Sequence, residues 1–258
     1  MVWNRTKEKT SDLGSGIASS PAKLVRETDV IFINLTDSAA VSSVITGKEG
    51  IIEGGCKGKI LIDTTTNHFE SVVLFHDILR RNDGYYLESP VLGSVIPASQ
   101  GALTVLVSGE SDAFDRALPY IEKIGKTVYY LETPALATKM KLINNLVLGS
   151  FMATIAEALA FGEDVGIGKS RVLEILASGA GNSSVLGAKR EKLLNENFSP
   201  HFSSALIYKD LHYLQDLART LKRPLFTGSV TKELFGMTLS KGLDSLDFCA
   251  IYRILKDL

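Results

Sequence analysis

A lysine and an asparagine four residues apart form the segment of the chain best suited to chemistry. Lys141 and Asn145 lie in the run Lys-Leu-Ile-Asn-Asn, and residues four apart on a helix share one face. A lysine beside an amide can protonate and orient a substrate carbonyl. A single helical lysine is more often a solvated surface group, but the apolar residues around Lys141 leave little surface for solvent. We therefore treat Lys141 and Asn145 as candidate catalytic residues.

Two other polar segments follow predicted strands. The run Asp63-Thr64-Thr65-Thr66 offers three hydroxyl groups that could hold a ribose or a substrate oxygen, since ligands of doubly wound sheets lie beyond the carboxyl ends of strands. The alternative is a cluster that caps the next helix. In the turn from Ser89 to Ser94, Gly93 would let a backbone N–H approach a carboxylate, although most such turns only reverse the chain.

The segment Asn4-Arg5-Thr6 follows a short strand remnant at the start of the chain. In a dinucleotide-binding fold, a basic residue at the end of the second strand accommodates the 2′-phosphate of NADP. The alternative for Arg5 is an ordinary surface arginine. The turn Gly14-Ser15-Gly16 lacks a third glycine and does not join a strand to a helix, so we do not interpret it as a phosphate loop. The four histidines show no metal-ligand spacing, and we expect no metal site.

The elements that must position these residues change character near residue 134. Before it, helices alternate with apolar strands, which predicts a parallel sheet covered by helices; the strands are expected at 29–34, 59–63, 85–88, 103–108 and 127–131. After it, Thr133 as cap and Pro134 at the first helical position begin a helix that runs to about Gly166. Further helices, but no strands, follow. The sequence predicts an α/β domain over residues 1–133 and an all-α domain over residues 134–258.

Composition excludes several classes of protein. The chain has 28 basic and 29 acidic residues and a net charge of −1, which does not favour binding to nucleic acid or an anionic membrane. Its two cysteines, Cys56 and Cys249, indicate neither a disulfide scaffold nor a zinc site. The longest uncharged stretch in the apolar middle of the chain, Leu142 to Ala156, is shorter than a membrane-spanning helix requires. No signal peptide is apparent, and we expect a cytoplasmic protein.

Taken in order, these segments resemble the β-hydroxyacid dehydrogenase family, which includes 3-hydroxyisobutyrate dehydrogenase and the glyoxylate and succinic semialdehyde reductases. The run from Lys139 to Asn145 is similar to the family's catalytic helix. The resemblance implies that Lys141 is the catalytic lysine and Asn145 the supporting amide. The stretch from Gly149 to Ala158 is most similar to the glyoxylate/succinic semialdehyde reductase branch.

The resemblance also implies a fold and the roles of further residues. The fold is a Rossmann-like domain followed by an all-α domain that binds substrate and forms the oligomer. The residues expected at the substrate are Thr66, Leu92, Gly93, Ser94, Phe202 and Asp210. Those expected at the cofactor are Asn4, Arg5, Thr6, Leu35, Thr36, Thr66, Phe202 and Lys209.

The chain departs from the family pattern in two places. Leu92 stands where the family usually has a serine, which would weaken binding of a substrate carboxylate or favour a less polar substrate. In addition, the chain begins where the family's second strand ends. The first strand, the Gly-x-Gly-x-x-Gly turn and the first helix are expected to be missing, through either a misassigned start or a truncation.

The resemblance implies hydride transfer between NADP(H), with NAD(H) also possible, and a short-chain aldehyde or hydroxy acid. The expected substrate is of the 3-hydroxyisobutyrate, glyoxylate or succinic semialdehyde type, and the expected assembly is a homodimer or homotetramer. Two alternatives remain. One is a catalytically inactive, dehydrogenase-like binding or scaffold protein, and the other is an imine reductase-like enzyme.

Overall fold

A computed structural model describes all 258 residues, which form two compact units, Met1–Lys141 and Leu142–Leu258. Each unit is described by itself. The division falls inside the long helix that begins the all-α part of the chain, so the first unit includes the first turn of that helix.

A three-stranded parallel sheet lies at the centre of the first unit, with β1 (Val30–Ile33), β2 (Ile60–Asp63) and β3 (Tyr85–Glu88) in that spatial order. All four residues of β2 are buried, as expected for a parallel strand covered on both faces. The parallel register aligns the carboxyl ends of the strands, and Asp63 lies beside Glu88. These strands confirm the prediction of a parallel sheet in this part of the chain.

A second sheet extends the first unit with β4 (Val91–Leu92), β5 (Leu103–Val107) and β6 (Gly125–Tyr130). The β4–β5 pair is antiparallel and the β5–β6 pair is parallel. A single bridge between Glu88 and Ser108 links the two sheets. Strand β4 was not predicted because a two-residue strand carries no readable period.

Helices and 3₁₀ turns of the first unit pack on these sheets. After a 3₁₀ turn at Lys7–Thr10, the helices are α1 (Pro21–Glu27), α2 (Ser38–Thr46), α3 (Ile51–Gly54), α4 (Phe69–Arg81), α5 (Val95–Ser99) and α6 (Ser111–Ile121). The Ser20 and Asp37 side chains cap α1 and α2, the usual role of such residues at helix starts. Strands β2 and β5 and helix α6 share one apolar core that includes Ile60, Val105 and Ile121.

One edge of the central sheet is open. Strand β1 pairs with β2 on one side only, whereas Val2 forms a parallel bridge with Ile17. Between Val2 and β1 lies a groove of about 650 Å³ lined by residues of both segments. Phe32 of β1 is 42% exposed there, although strands of parallel sheets are normally covered on both faces.

The long helix α7 spans Leu136–Asp164, and its predicted cap is wrong. Ala135 has a positive φ of 71°, which places the helix start two residues later than predicted. The Ala137 and Thr138 N–H groups bind side chains from two strand ends, Ser108 and Glu88, rather than the Thr133 side chain. By length and composition α7 could cross a membrane, but 44% of its most apolar window is buried, and a core helix passes the same test.

The second unit is helical, as predicted. It contains the rest of α7 and α8 (Lys169–Ser178), α9 (Ser184–Asn195), α10 (Ser204–Thr220), α11 (Phe226–Ser240) and α12 (Ile251–Lys256). Phe235 and Phe248 pack at its centre. Asp247 caps a 3₁₀ turn at Phe248–Ala250 that leads into α12.

Candidate active site

Lys141 and Asn145 lie on the buried side of α7. Lys141 is 8% exposed and Asn145 is fully buried, as is Leu142. The neighbouring Met140 and Ile143 are exposed, so the apolar surroundings predicted for Lys141 are present on only one side of the helix. A lysine that is nearly covered in this way is unusual, because its ammonium group must find polar partners or lose hydration.

The Asn145 amide is oriented within the second unit by two neighbours. Its Nδ2 donates to the Asp210 carboxylate at 2.7 Å, and its Oδ1 accepts from Asn144 at 3.0 Å. Lys209 lies 3.2 Å from the other oxygen of Asp210. An amide nitrogen carries two hydrogens, so Asn145 keeps a second N–H for a substrate oxygen. Thus the structure brings together three predicted site residues: Asn145, Lys209 and Asp210.

Phe202 is partly buried in the second unit, where it lies near a buried ion pair that the sequence did not predict. Its ring packs edge-on against Phe248, with 5.8 Å between the centroids. The buried Asp247 carboxylate accepts from the His201 and Phe202 N–H groups and pairs with Lys189 at 2.8 Å. Burial acts to raise the pKa of Asp247, but the hydrogen bonds from Lys189, Cys249 and His201 and the charge of Lys189 together outweigh burial, and the pKa is lowered. Asp247 thereby fixes the segment that carries Phe202.

The threonine run after β2 does not cap the next helix, so that alternative is wrong. His68 caps α4, whereas Thr65 Oγ1 accepts from the Leu35 N–H at 2.9 Å and Thr64 Oγ1 donates to the Ile33 carbonyl at 2.9 Å. These bonds join the carboxyl ends of β1 and β2, with Thr66 next along the chain.

A buried carboxyl group supports this connection. Asp63 accepts from the Thr65 N–H, the Asn67 amide and the Tyr86 hydroxyl. Burial raises the pKa of Asp63 and also the pKa of Tyr86. The sequence marked the hydroxyl groups but not this network, because Tyr86 lies on a different strand, 23 residues further along the chain.

Gly93 occupies a position that only glycine suits. Its φ is +122°, and a Cβ atom there would lie 2.8 Å from the Leu103 side chain. Leu92 pairs with Thr104 across the β4–β5 ladder and is half-buried, while Ser94 precedes α5 without capping it. Glycine is therefore required at this turn by its backbone conformation and by the neighbouring Leu103 side chain, and the predicted contact of its N–H with a substrate carboxylate stays a prediction.

The open groove of the first unit gathers the residues expected at the cofactor's ribose. Its lining includes Asn4, Arg5, Thr6, Leu35 and Thr36. These residues come from the strand remnant and the end of β1, about 30 positions apart in the sequence. Thr66 is not part of this lining.

Two models of nicotinamide-dinucleotide-binding domains match the chain. The NAD binding domain of 6-phosphogluconate dehydrogenase matches residues 1–132, and the NAD-binding domain of NADP-dependent 3-hydroxyisobutyrate dehydrogenase matches residues 136–255. Among relatives, glyoxylate/succinic semialdehyde reductase 1 of Arabidopsis thaliana is 30% identical over 258 residues, covering 99% of this chain and 89% of that protein. The chain belongs to the β-hydroxyacid dehydrogenase family.

Other known proteins are similar to the chain in sequence or in fold. Human cytokine-like nuclear factor N-PAC is 31% identical over 98% of this chain, which spans 46% of that protein. The structure of 3-hydroxyisobutyrate dehydrogenase from Salmonella typhimurium aligns with a TM-score of 0.87 at 25% identity, covering 93% of this chain and 84% of that one. A structure of Psf3 in complex with NADP+ and 2-OPP aligns with a TM-score of 0.89 at 25% identity, covering 98% of this chain and 90% of that one.

As a member of this family the chain is an NAD(P)-dependent dehydrogenase or reductase, and its residues fit one half of that cofactor. The ribose end has Arg5 and Thr6 in the groove. Among these 258 residues, no strand leads through a glycine-rich turn into a helix, the arrangement that usually binds a pyrophosphate. Helix α2 after β1 is capped by the Asp37 carboxylate, which would repel an anion.

Proposed function

We propose that the chain catalyses reduction of a short-chain aldehyde, or oxidation of the corresponding hydroxy acid, with NADP(H). The substrate is of the glyoxylate, succinic semialdehyde or 3-hydroxyisobutyrate type. The observation that carries this proposal is the nearly buried Lys141, one helical turn from the hydrogen-bonded amide of Asn145.

Lys141 supplies the proton in this reaction. During reduction, its Nζ donates a proton to the alkoxide that forms as the carbonyl is reduced, and during oxidation it accepts the hydroxyl proton. The bound nicotinamide supplies the redox chemistry. An ammonium group that is shielded from bulk water interacts more strongly with a developing oxyanion than an exposed one would.

Binding of the substrate involves the other predicted residues. Asn145 donates its remaining N–H to the substrate oxygen, and its orientation is kept by Asp210. Thr66 and the backbone N–H at Gly93 bind the substrate carboxylate, and Phe202 and Lys209 border the site and the cofactor. Leu92 brings no hydroxyl to this region, which weakens binding of the carboxylate or favours a less polar substrate.

The test is a panel of substrates assayed with the purified protein. Glyoxylate, succinic semialdehyde and a longer unbranched aldehyde would be supplied with NADPH, and 3-hydroxyisobutyrate with NADP. We expect turnover of at least one short acidic substrate, measured by nicotinamide absorbance, and little with the longer aldehyde. No turnover by a preparation that binds NADPH would contradict the proposal.

The second candidate is a dehydrogenase-like binding protein without turnover. The similarity to human cytokine-like nuclear factor N-PAC favours it. In that case the purified protein should bind NADPH but turn over no member of the substrate panel. Calorimetric titration measures the binding and nicotinamide absorbance the turnover, and turnover of any of these substrates would contradict it.

A further inference from the structure

A buried carboxyl group holds the first turn of α7. Glu88, the last residue of β3, is 1% exposed. Its Oε2 accepts a hydrogen bond from the Thr138 N–H at 3.0 Å and another from the Thr138 hydroxyl. The first N–H groups of a helix have no partner within the helix, so this carboxyl satisfies a donor that would otherwise be orphaned in the interior.

A second side chain holds the adjacent residue of the same turn. Ser108 Oγ accepts from the Ala137 N–H at 3.0 Å, and the Ser108 N–H donates to the Glu88 carbonyl at 3.0 Å. The ends of β3 and β5 are thus bonded to each other, and both hold α7. Because these strand ends belong to the rigid sheets, the bonds fix the start of α7 relative to the sheets.

The capping of α7 differs from that of the other capped helices. The first turns of α1, α2, α9 and α10 are capped by the residue that directly precedes each helix. Such a cap stabilises a helix but moves with it. Glu88 is 50 residues away from Thr138 in the sequence, so its bonds determine where α7 lies as well as whether it forms.

Lys141 lies on the helix face that Glu88 holds. It follows Thr138 by three residues, and side chains three apart are neighbours one turn along a helix. A displacement of the first turn therefore displaces Lys141. We propose that Glu88 is a positioning residue for Lys141 and acts through its hydrogen bonds to Thr138. This inference rests on the proton-transfer role proposed for Lys141.

The charge of Glu88 offers an independent readout. Burial raises the pKa of Glu88 to about 7, against the opposing hydrogen bonds from Thr138 and the nearby Lys139. The unfolded value is about 4.3, so between these values the folded protein binds more protons than the unfolded chain. Glu88 therefore stabilises the fold least at the upper end of this range, and stability falls as pH rises through it.

Other titratable groups near Glu88 are Asp63 beside it on β2, Tyr86 on its own strand, and His76 of α4, whose ring lies edge-on to Tyr86. Burial lowers the pKa of His76 to about 4 and raises the pKa of Tyr86, so both are neutral near pH 7. The Asp63 carboxyl accepts three hydrogen bonds, from the Thr65 N–H, the Asn67 amide and the Tyr86 hydroxyl. A Glu88 variant removes only the titration of Glu88, so its effect can be distinguished from the titration of Asp63, Tyr86 and His76.

The experiment is hydrogen exchange of the 258-residue protein and its variants, with melting temperature measured over about pH 5 to 8. Glu88→Gln keeps an acceptor oxygen but cannot ionise, whereas Glu88→Ala removes both bonds. Thr138→Val removes only the hydroxyl bond. Glu110→Gln is the matched control, because Glu110 is an exposed glutamate that precedes α6 without capping it.

We expect Glu88→Ala to lower the protection of the Ala137–Lys141 amides about tenfold, the effect of losing one or two buried hydrogen bonds. Strand β2 should keep its protection. Glu88→Gln should keep the protection of the first turn of α7 but flatten the dependence of melting temperature on pH. Unchanged protection in both Glu88→Ala and Thr138→Val would overturn the proposal, and so would an equal loss throughout the first unit. If Glu88→Ala does not fold, Thr138→Val decides alone by the same criterion.

Turnover separates this proposal from the proposed function. In a preparation that turns over substrate, Glu88→Ala should lower kcat up to about 100-fold, as small misplacements of catalytic groups do, with little change in the KM for the aldehyde. If Lys141→Ala lowers kcat and Glu88→Ala does not, the positioning role is wrong. If Lys141→Ala leaves kcat intact, the proposed function is wrong. Hydrogen exchange would still show whether Glu88 holds the first turn of α7.

Discussion

At the scale of single residues, the chemistry proposed for this protein depends on Lys141. Its side chain is nearly buried, and the partners of Asn145 one turn away fix the direction of that amide. Burial costs an ammonium group its hydration, and a buried lysine such as Lys189 meets that cost in a structural ion pair. For Lys141, burial together with the helix face that it shares with the Asn145 amide favours a role in proton transfer.

Replacement of Lys141 tests this role directly. Lys141→Ala should lower turnover by about 10²–10⁴-fold, the usual contribution of general acid–base catalysis, which equals about 3–5 kcal/mol of barrier. Affinity for NADPH should change little. Lys141→Arg should not restore turnover, because a guanidinium does not release its proton near neutral pH.

The control for this variant lies two residues away. Lys139 is partly exposed, with its Nζ 5.9 Å from the centre of the Phe69 ring, and side chains two residues apart on a helix do not face each other. Lys139→Ala should keep turnover within a few-fold of the unmodified protein. Equal kcat values for the Lys139 and Lys141 variants would show that the assignment is wrong.

Cofactor preference is also decided by a single residue. Arg5 lines the groove of the first unit, where a guanidinium can form charge-assisted bonds with the 2′-phosphate of NADP. We expect a preference for NADP(H) over NAD(H), and Arg5→Asp should abolish or reverse it. Fluorescence titration with both reduced cofactors measures the preference, with Lys9→Ala as a control in the same groove. Equal affinities in the unmodified protein would contradict this prediction.

At the scale of elements, a buried ion pair joins helix α9 to the turn before α12. Lys189 and Asp247 are both buried and 2.8 Å apart, and Asp247 also holds the backbone before α10. Because the pKa of Asp247 is lowered, its contribution to stability is present above the unfolded value of about 3.9. That contribution is lost as pH falls through the folded value.

Replacing Lys189 should show how much the buried ion pair contributes to the free energy of unfolding. Lys189→Met leaves a buried carboxylate without its cation, and we expect a loss of about 3–5 kcal/mol in the free energy of unfolding. The neighbouring Arg190 forms an exposed pair with Glu191, and Arg190→Met should cost less than about 1 kcal/mol. Urea denaturation at neutral pH compares the two variants. Similar midpoints would indicate that the buried pair contributes nothing beyond a surface pair.

At the scale of the whole molecule, an apolar stripe on α7 suggests self-association. Ile143, Val147 and Phe151 are spaced four residues apart and are all more than 40% exposed, although a monomer usually hides such a row. Helix α10, by contrast, already packs its apolar face within the second unit. The stripe on α7 is therefore the better candidate for an interface.

We expect the protein to form a homodimer or homotetramer through this stripe. Replacing Val147 and Phe151 together by glutamate should give monomers, because buried like charges would face each other across the interface. Light scattering at micromolar concentration measures the mass, and Val73→Glu on α4 is a control at another exposed apolar site. A monomeric mass for the unmodified protein would contradict the prediction.

The sequence by itself determined the order of the elements and the face of α7 that we propose as the catalytic one. The apolar strands, the change to helices near residue 134 and the four-residue spacing of Lys141 and Asn145 are local patterns, and local periodicity is readable without a fold. The motif at Gly93 was readable for the same reason, since a positive φ favours glycine.

Only the tertiary structure decided which distant groups support those residues. Glu88 and Ser108, rather than Thr133, hold the start of α7, and the threonines after β2 bind β1 instead of capping α4. Each of these bonds joins residues about 30 to 50 positions apart, and no local pattern records which strand ends will meet. The register of the parallel strands sets these partners, and register is fixed by the packing of the whole sheet.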